Sequence, residues 1–156
     1  MRMIFVNLPV KNLTASRTFF AELGFHFNRE FSDKTCACMV VDQNIYVMLL
    51  AEERFRDFIN GGISDAASAT EVINCLSADS RQQVDELVAR AISAGGKPWK
   101  PVIEEGPMYG GSFQDLDGLL HRARLRVQRR LHRWQRCVHG RRPEHLRHAA
   151  RRAAFS

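Results

Sequence analysis

The 156-residue chain has four cysteines, no lysine after Lys100, one acidic residue after Gly118 and only one histidine, His26, before residue 119. Four cysteines are too few for a disulfide-stapled scaffold and point to a reducing, cytoplasmic setting. Cys36 and Cys38 are two apart in a strand-like run, so they share a strand face and do not form a metal-clamping C-x-x-C. No apolar run approaches the ~18 residues needed to cross a bilayer, which argues against a membrane span. The opening MRMIFVNLPVKN is too short an apolar run for a secretory leader and is broken by Pro9 and Lys11. Neither a Ser-His-Asp nor a Cys-His arrangement is visible, and no phosphate loop. Gly110-Gly111 stands alone and reads as a bend or bulge in a strand.

The charge that is present is divided. Residues 1–118 carry 11 Lys+Arg against 16 Asp+Glu, whereas residues 119–156 carry 12 Arg and a single acid, Glu144. The overall +6 and the pI near 9.6 therefore belong to the tail. The length suits one domain with an appendage, and we place the domain at residues 1–127 and the basic tail at 128–156.

Along the chain, Met3–Val10 is β-rich. Asn12 caps a helix whose Leu13, Ser16, Phe19, Phe20 and Leu23 form one stripe, and Gly24 stops it. Three strand-like runs follow, 25–31, 35–42 and 45–51, so the first half reads βαβββ. Residues 52–60 predict a short helix with Phe55, Phe58 and Ile59 on one face, and 63–68 a linker. The pattern then restarts about 67 residues on. Residues 69–77 read as a strand, and Ser80 with Gln83 forms a capping box. Val84, Leu87, Val88, Ala91 and Ile92 keep helical spacing up to Gly95-Gly96. Strands are expected at 97–104 and 108–114, then a turn at 115–118 and a last strand over 119–127. The expected class is α+β, with an internal repeat.

The pieces LPVKNLTASRTFFAELGF, DELVARAISAGG and SFQDLDG, in that order and spacing, resemble the vicinal oxygen chelate superfamily, which includes glyoxalase I, bleomycin and fosfomycin resistance proteins and extradiol dioxygenases. SFQDLDG looks like that family's F-x-D-P-D-G turn, with Leu116 in place of proline. IYVMLLAEERF and GPMYGGSF look most like a poorly characterised bacterial branch labelled glyoxalase-like. The resemblance covers residues 3–118. It implies two βαβββ modules forming a curled mixed sheet around a cavity, a small-molecule ligand, homodimers and often a divalent metal. It also implies either enzyme activity of the lyase or dioxygenase type or metal-free drug sequestration.

Metal-dependent members place a His or Glu on the first and last strand of each module. Carried over by flanking pattern, those positions fall at Phe5, Met48, near Val72 and at Arg122. None of these side chains is a usual ligand for a hard or borderline divalent ion, so no metal ligands are assigned. The apolar Phe5 and Met48 favour a binding module. Glu71, beside Val72, reads as a cavity carboxylate or a solvent-facing strand residue. Asn7 shares the strand face of Phe5, and Tyr109 with Ser112 brings hydroxyls near a cavity mouth. The ligand-cavity candidates are Phe5, Asn7, Met48, Glu71, Tyr109 and Arg122; the catalytic residues and the substrate are not assigned.

Three readings of the tail remain open. It is an arm for nucleic acid or an acidic partner, with Trp134 among arginines; a solvated or disordered segment with Leu131, Trp134 and Val138 near helical spacing; or the product of a reading frame that slipped near Gly118, where the family's last strand should begin.

Overall fold

The computed structural model describes residues 2–126; the tail readings, and Val127 of the expected last strand, lie outside the described residues. The first module runs β1 (Ile4–Val10), α1 (Leu13–Glu22), β2 (His26–Asn28), β3 (Cys36–Asp42), β4 (Ile45–Ala51) and the short α2 (Glu52–Arg56). The second runs β5 (Ile73–Ala78), α3 (Arg81–Ser93), β6 (Lys97–Pro98), β7 (Ile103–Glu105), β8 (Met108–Gln114) and β9 (Leu120–Leu125). In both modules the first strand pairs in parallel with the last: β1 with β4, and β5 with β9. The orders are β1-β4-β3-β2, and β5-β9-β8-β6 with β7 also on β8. The α+β class and the repeated βαβββ plan are therefore present. Each module contributes a mixed sheet, of four and five strands, as the expected class requires.

Local chemistry sets the helix ends. The Asn12 side chain accepts from Ala15 N–H (3.0 Å), and Gly24 leaves α1 at φ +99°. Ser80 accepts from Gln83 N–H (3.1 Å) while Gln83 Oε1 accepts from Asp79 N–H (2.8 Å), shifting the reciprocal bond of the box one residue back. Both helices bury an apolar stripe against the sheets. Phe19 and Phe20 of α1, Ala91 of α3, Leu8, Val10, Met39 and Leu49 of the first sheet and Phe113 of the second form one buried cluster. The two sheets thus turn their helix-side faces toward a common core.

Several boundaries differ from expectation. The run 25–31 keeps only β2, because Asn28 Oδ1 accepts from Glu30 N–H (2.9 Å) and the Ser32 hydroxyl donates to the Asn28 carbonyl, folding the chain into a turn. The helix at 52–60 ends at Arg56, so Phe58, expected on one helical face with Phe55 and Ile59, falls beyond it and is exposed. The strand at 69–77 starts only at Ile73, since the N–H groups of Ser68 and Ala69 are both taken by the Asp65 carbonyl. The run 97–104 breaks into β6 and β7 around Pro98 and Pro101, which have no N–H to give a ladder.

The Gly110-Gly111 pair is not a bulge: β8 stays in register with β9 from Gly110 to Gln114. A Cβ on Gly111 would lie 2.7 Å from Val88 Cγ2, so the missing side chain lets α3 approach the sheet. Gly118 has φ +89° and lies against Ala67, which places glycine at the end of the 115–118 turn.

Candidate functional site

Alternation along the strands fixes which side chains face away from the common core. On β1 and β4 the outward set includes Phe5, Asn7, Tyr46 and Met48, since Val6, Leu8, Val47 and Leu49 belong to the core cluster. The register pairs Phe5 with Tyr46 and Asn7 with Met48. Phe5 and Tyr46 stack at 4.9 Å with their rings 14° apart, and Phe5 remains 46% exposed. In the second module Arg122 pairs with Cys75 on β5 and Ser112 on β8, while the neighbouring His121 and Ala123 are buried on the helix side.

The register shows what stands beside the carried-over metal positions. Met48 sits beside Asn7, and Phe5 is one row away; Arg122 sits beside Cys75, and Val72 precedes the strand. The matching outward rows are thus Asn7 with Met48 and Cys75 with Arg122. Of an amide, a thioether, a thiol and a guanidinium only the Cys75 thiol is a usual ligand of a borderline ion; one ligand makes no site, and Arg122 adds a repelling cation. Among the described residues no cluster of three or more His, Cys, Asp or Glu side chains is arranged to hold a metal. The residues present do not fit the family's metal.

A cavity of about 370 Å³ opens between β1, the segment 59–72 and the start of β9. It takes in Asn7 and Glu71 from the sequence candidates, together with Pro9, Phe55, Ile59, Asn60, Val72 and Leu120. Phe5, Met48, Tyr109 and Arg122 do not line it. Asn7 donates one Nδ2–H to the Phe5 carbonyl at 3.3 Å. A second opening shares its wall from Gly62 to Ser64 and leads to the charged groups Lys11, Glu52, Arg56, Asp65 and Asp117. Burial raises the Asp117 carboxyl above its usual range, against the pull of Lys11 N–H (2.8 Å) and the Ser16 hydroxyl (3.0 Å).

Tyr109 lies away from the cavity beside Asn7 and Glu71. Its hydroxyl donates to Asp85 Oδ1 at 2.7 Å, and Arg81 lies 4.8 Å from its ring centre, so it ties β8 to the start of α3. Ser112 is buried, its hydroxyl accepting from Lys100 N–H at 3.2 Å. Sequence reasoning also missed a buried pair: His121 Nε2 lies 2.8 Å from Asp115 Oδ2, with both side chains almost fully enclosed. The ring stacks on Phe113 (5.4 Å) and meets Phe20 edge-on (5.5 Å). Asp115 Oδ1 further accepts from Asp117 and Leu119 N–H. The pair is a fastener for the turn, with no hydroxyl or thiol among its recorded partners to activate.

The N-terminal residues 2–42 match the family model described as bleomycin resistance protein-like N-terminal. A search of curated proteins finds no match. Among solved structures, a hypothetical protein from S. aureus is 25% identical, with a TM-score of 0.70 over 81% of this chain and 94% of that one. A glyoxalase/bleomycin resistance protein/dioxygenase family enzyme from Burkholderia phytofirmans PsJN is 17% identical, with a TM-score of 0.67 over 81% and 100%. In fold the chain is similar to these glyoxalase/bleomycin resistance/dioxygenase structures, the expectation that the vicinal oxygen chelate resemblance raised. A genomically encoded fosfomycin resistance protein from Listeria monocytogenes shares its fold at 14% identity, with a TM-score of 0.60 over 83% and 96%. At the two lower identities the likeness is one of fold, so this chain takes no substrate from those relatives. No helix among the described residues is long and apolar enough to cross a membrane.

Proposed function

We propose that this chain is a binding protein for a small organic molecule, one that does not run the superfamily's metal-dependent lyase or dioxygenase chemistry. The observation that carries this reading is the set of side chains at and beside the positions carried over from the metal-dependent members, Phe5, Asn7 and Met48 in one module and Cys75 and Arg122 in the other, which offers neither imidazole nor carboxylate. The match of residues 2–42 to a bleomycin resistance-like family supports sequestration over turnover. The cavity beside Asn7 and Glu71 has the size of a small-ligand site. Elemental analysis of the purified full chain, before and after incubation with Ni, Zn, Mn and Fe(II), tests the reading. It predicts well under one equivalent of any of them; stoichiometric, chelator-resistant metal would overturn it.

A homodimer belongs to the same reading. β1 and β5 each have one strand neighbour, and Ile4, Phe5, Val72 and Ile73 stand exposed along and beside these edges. Exposed apolar edge strands call for a cover, and a second copy supplies one. Sedimentation equilibrium should give twice the chain mass, and Phe5→Lys should shift it toward the monomer. A monomer at micromolar concentration would remove this part of the proposal.

A further inference from the structure

We infer that the cavity between β1 and the 59–72 segment selects a small monocation: an ammonium group carried on an apolar body. This deepens the small-molecule reading above and rests on it.

Glu71 is the one ionisable side chain that lines the cavity among the described residues. The rest of the wall is apolar or neutral, with Pro9, Phe55, Ile59, Val72 and Leu120 against the amides of Asn7 and Asn60. Asn7 spends one amide hydrogen on the Phe5 carbonyl, and among the described residues nothing donates to its Oδ1. Among the described residues the polar part of the wall, which also includes the Ser64 and Thr70 hydroxyls, carries one negative charge and no positive one. A carboxylate ligand would meet Glu71 as a like charge, and a neutral ligand would draw no charge attraction from it. An ammonium brings three donors and the opposite charge, while its apolar body covers the aliphatic wall. The volume limits the body to a drug fragment and excludes a polymer.

The position of Glu71 sets the size of the effect. It lies on the exposed segment before β5, so solvent screens it, and an ion pair there is worth about 1 kcal/mol at most. That converts to about a fivefold preference.

The test uses three probes on one scaffold, 4-phenylbutylamine, 4-phenylbutan-1-ol and 4-phenylbutyrate, titrated calorimetrically into the full chain. The amine should bind about fivefold tighter than the alcohol. The carboxylate should be weakest in the cavity. Glu71→Gln should bring amine and alcohol together, and raising salt should shrink the amine's advantage in the wild type. Ala69 is exposed on the cavity wall, so Ala69→Trp should fill the space and weaken amine and alcohol alike. Carboxylate held by the tail arginines is recognised by its indifference to Ala69→Trp. If the alcohol equals the amine, or Glu71→Gln leaves the amine unchanged, the cation assignment is overturned while the binding reading survives. If none of the three binds, the cavity assignment fails, and the metal analysis still judges the broader reading by itself.

Discussion

Asp115 is a buried carboxylate that holds the 115–118 turn to the last strand. It accepts from Asp117 N–H and Leu119 N–H and lies 2.8 Å from His121 Nε2, all in a place that water does not reach. Asp115→Ala would leave two backbone donors and an imidazole without partners, at a cost of about 3 kcal/mol. Asp115→Asn keeps an acceptor oxygen for the backbone and should cost less; urea unfolding of the two variants measures the difference, and equal losses would argue against the network. The same turn explains why a histidine is tolerated at 121. The ring fills an aromatic-sized slot between Phe113 and Phe20, and Asp115 answers its polar edge. Gly111 is fixed by space and not by backbone angle. Gly111→Val forces a side chain into Val88 and should destabilise by about 1–3 kcal/mol.

At the level of elements, two carboxylates in loops give the molecule opposite responses to acid. The Thr35 N–H and hydroxyl, with the Cys36 N–H, lower the Asp33 carboxyl to about 2. Its folded value lies below its unfolded one, so its contribution is present above about pH 4 and is lost as pH falls toward 2. Asp117 is raised by burial, so its contribution is present below the unfolded value and is lost as pH rises through the folded one. Unfolding curves between pH 2 and 6 should show Asp33→Asn flattening the acid-side fall and Asp117→Asn flattening a fall on the rising side; unchanged profiles would refute the two assignments. Neither response is legible from the residues alone, because each depends on how a loop closes. What is legible is periodic: β4 and β8 match their expected bounds, and both long helices begin at the expected caps. The segment from Asp57 to Val72 is less legible, because it has no period, and its place is set by packing against β1 and β9. The cavity is built there, so Phe55 and Ile59 were seen only as a helix stripe. Cys75 was missed because cross-strand register, unlike alternation, requires knowing which strands pair and with what offset.

For the whole molecule, the question is how the acidic domain and the Arg-rich tail divide the work. Among the described residues β9 stands in the second sheet between β5 and β8. Ala123 is fully buried against Val84, and Arg126 N–H reaches the Ala78 carbonyl at 2.7 Å, so the strand is tied down at its end. The outward residues Arg122 and Arg124 continue the tail's charge onto this strand, so cationic character begins inside the domain. Two proposals for the tail then part company. If it is a nucleic-acid arm, the full chain should hold single-stranded DNA with an affinity that falls steeply with salt, and a chain ending at Arg126 should lose that binding while keeping its small-molecule affinity. If the tail comes from a slipped reading frame, translating the gene in all frames should uncover, just beyond codon 118, a strand of the family's H-x-W-E-V kind. The second outcome would put a glutamate where this chain has Arg122, the residue that does most to rule out a metal. The frame around that codon therefore decides whether metal-free binding is a property of the domain or of this one version of its last strand.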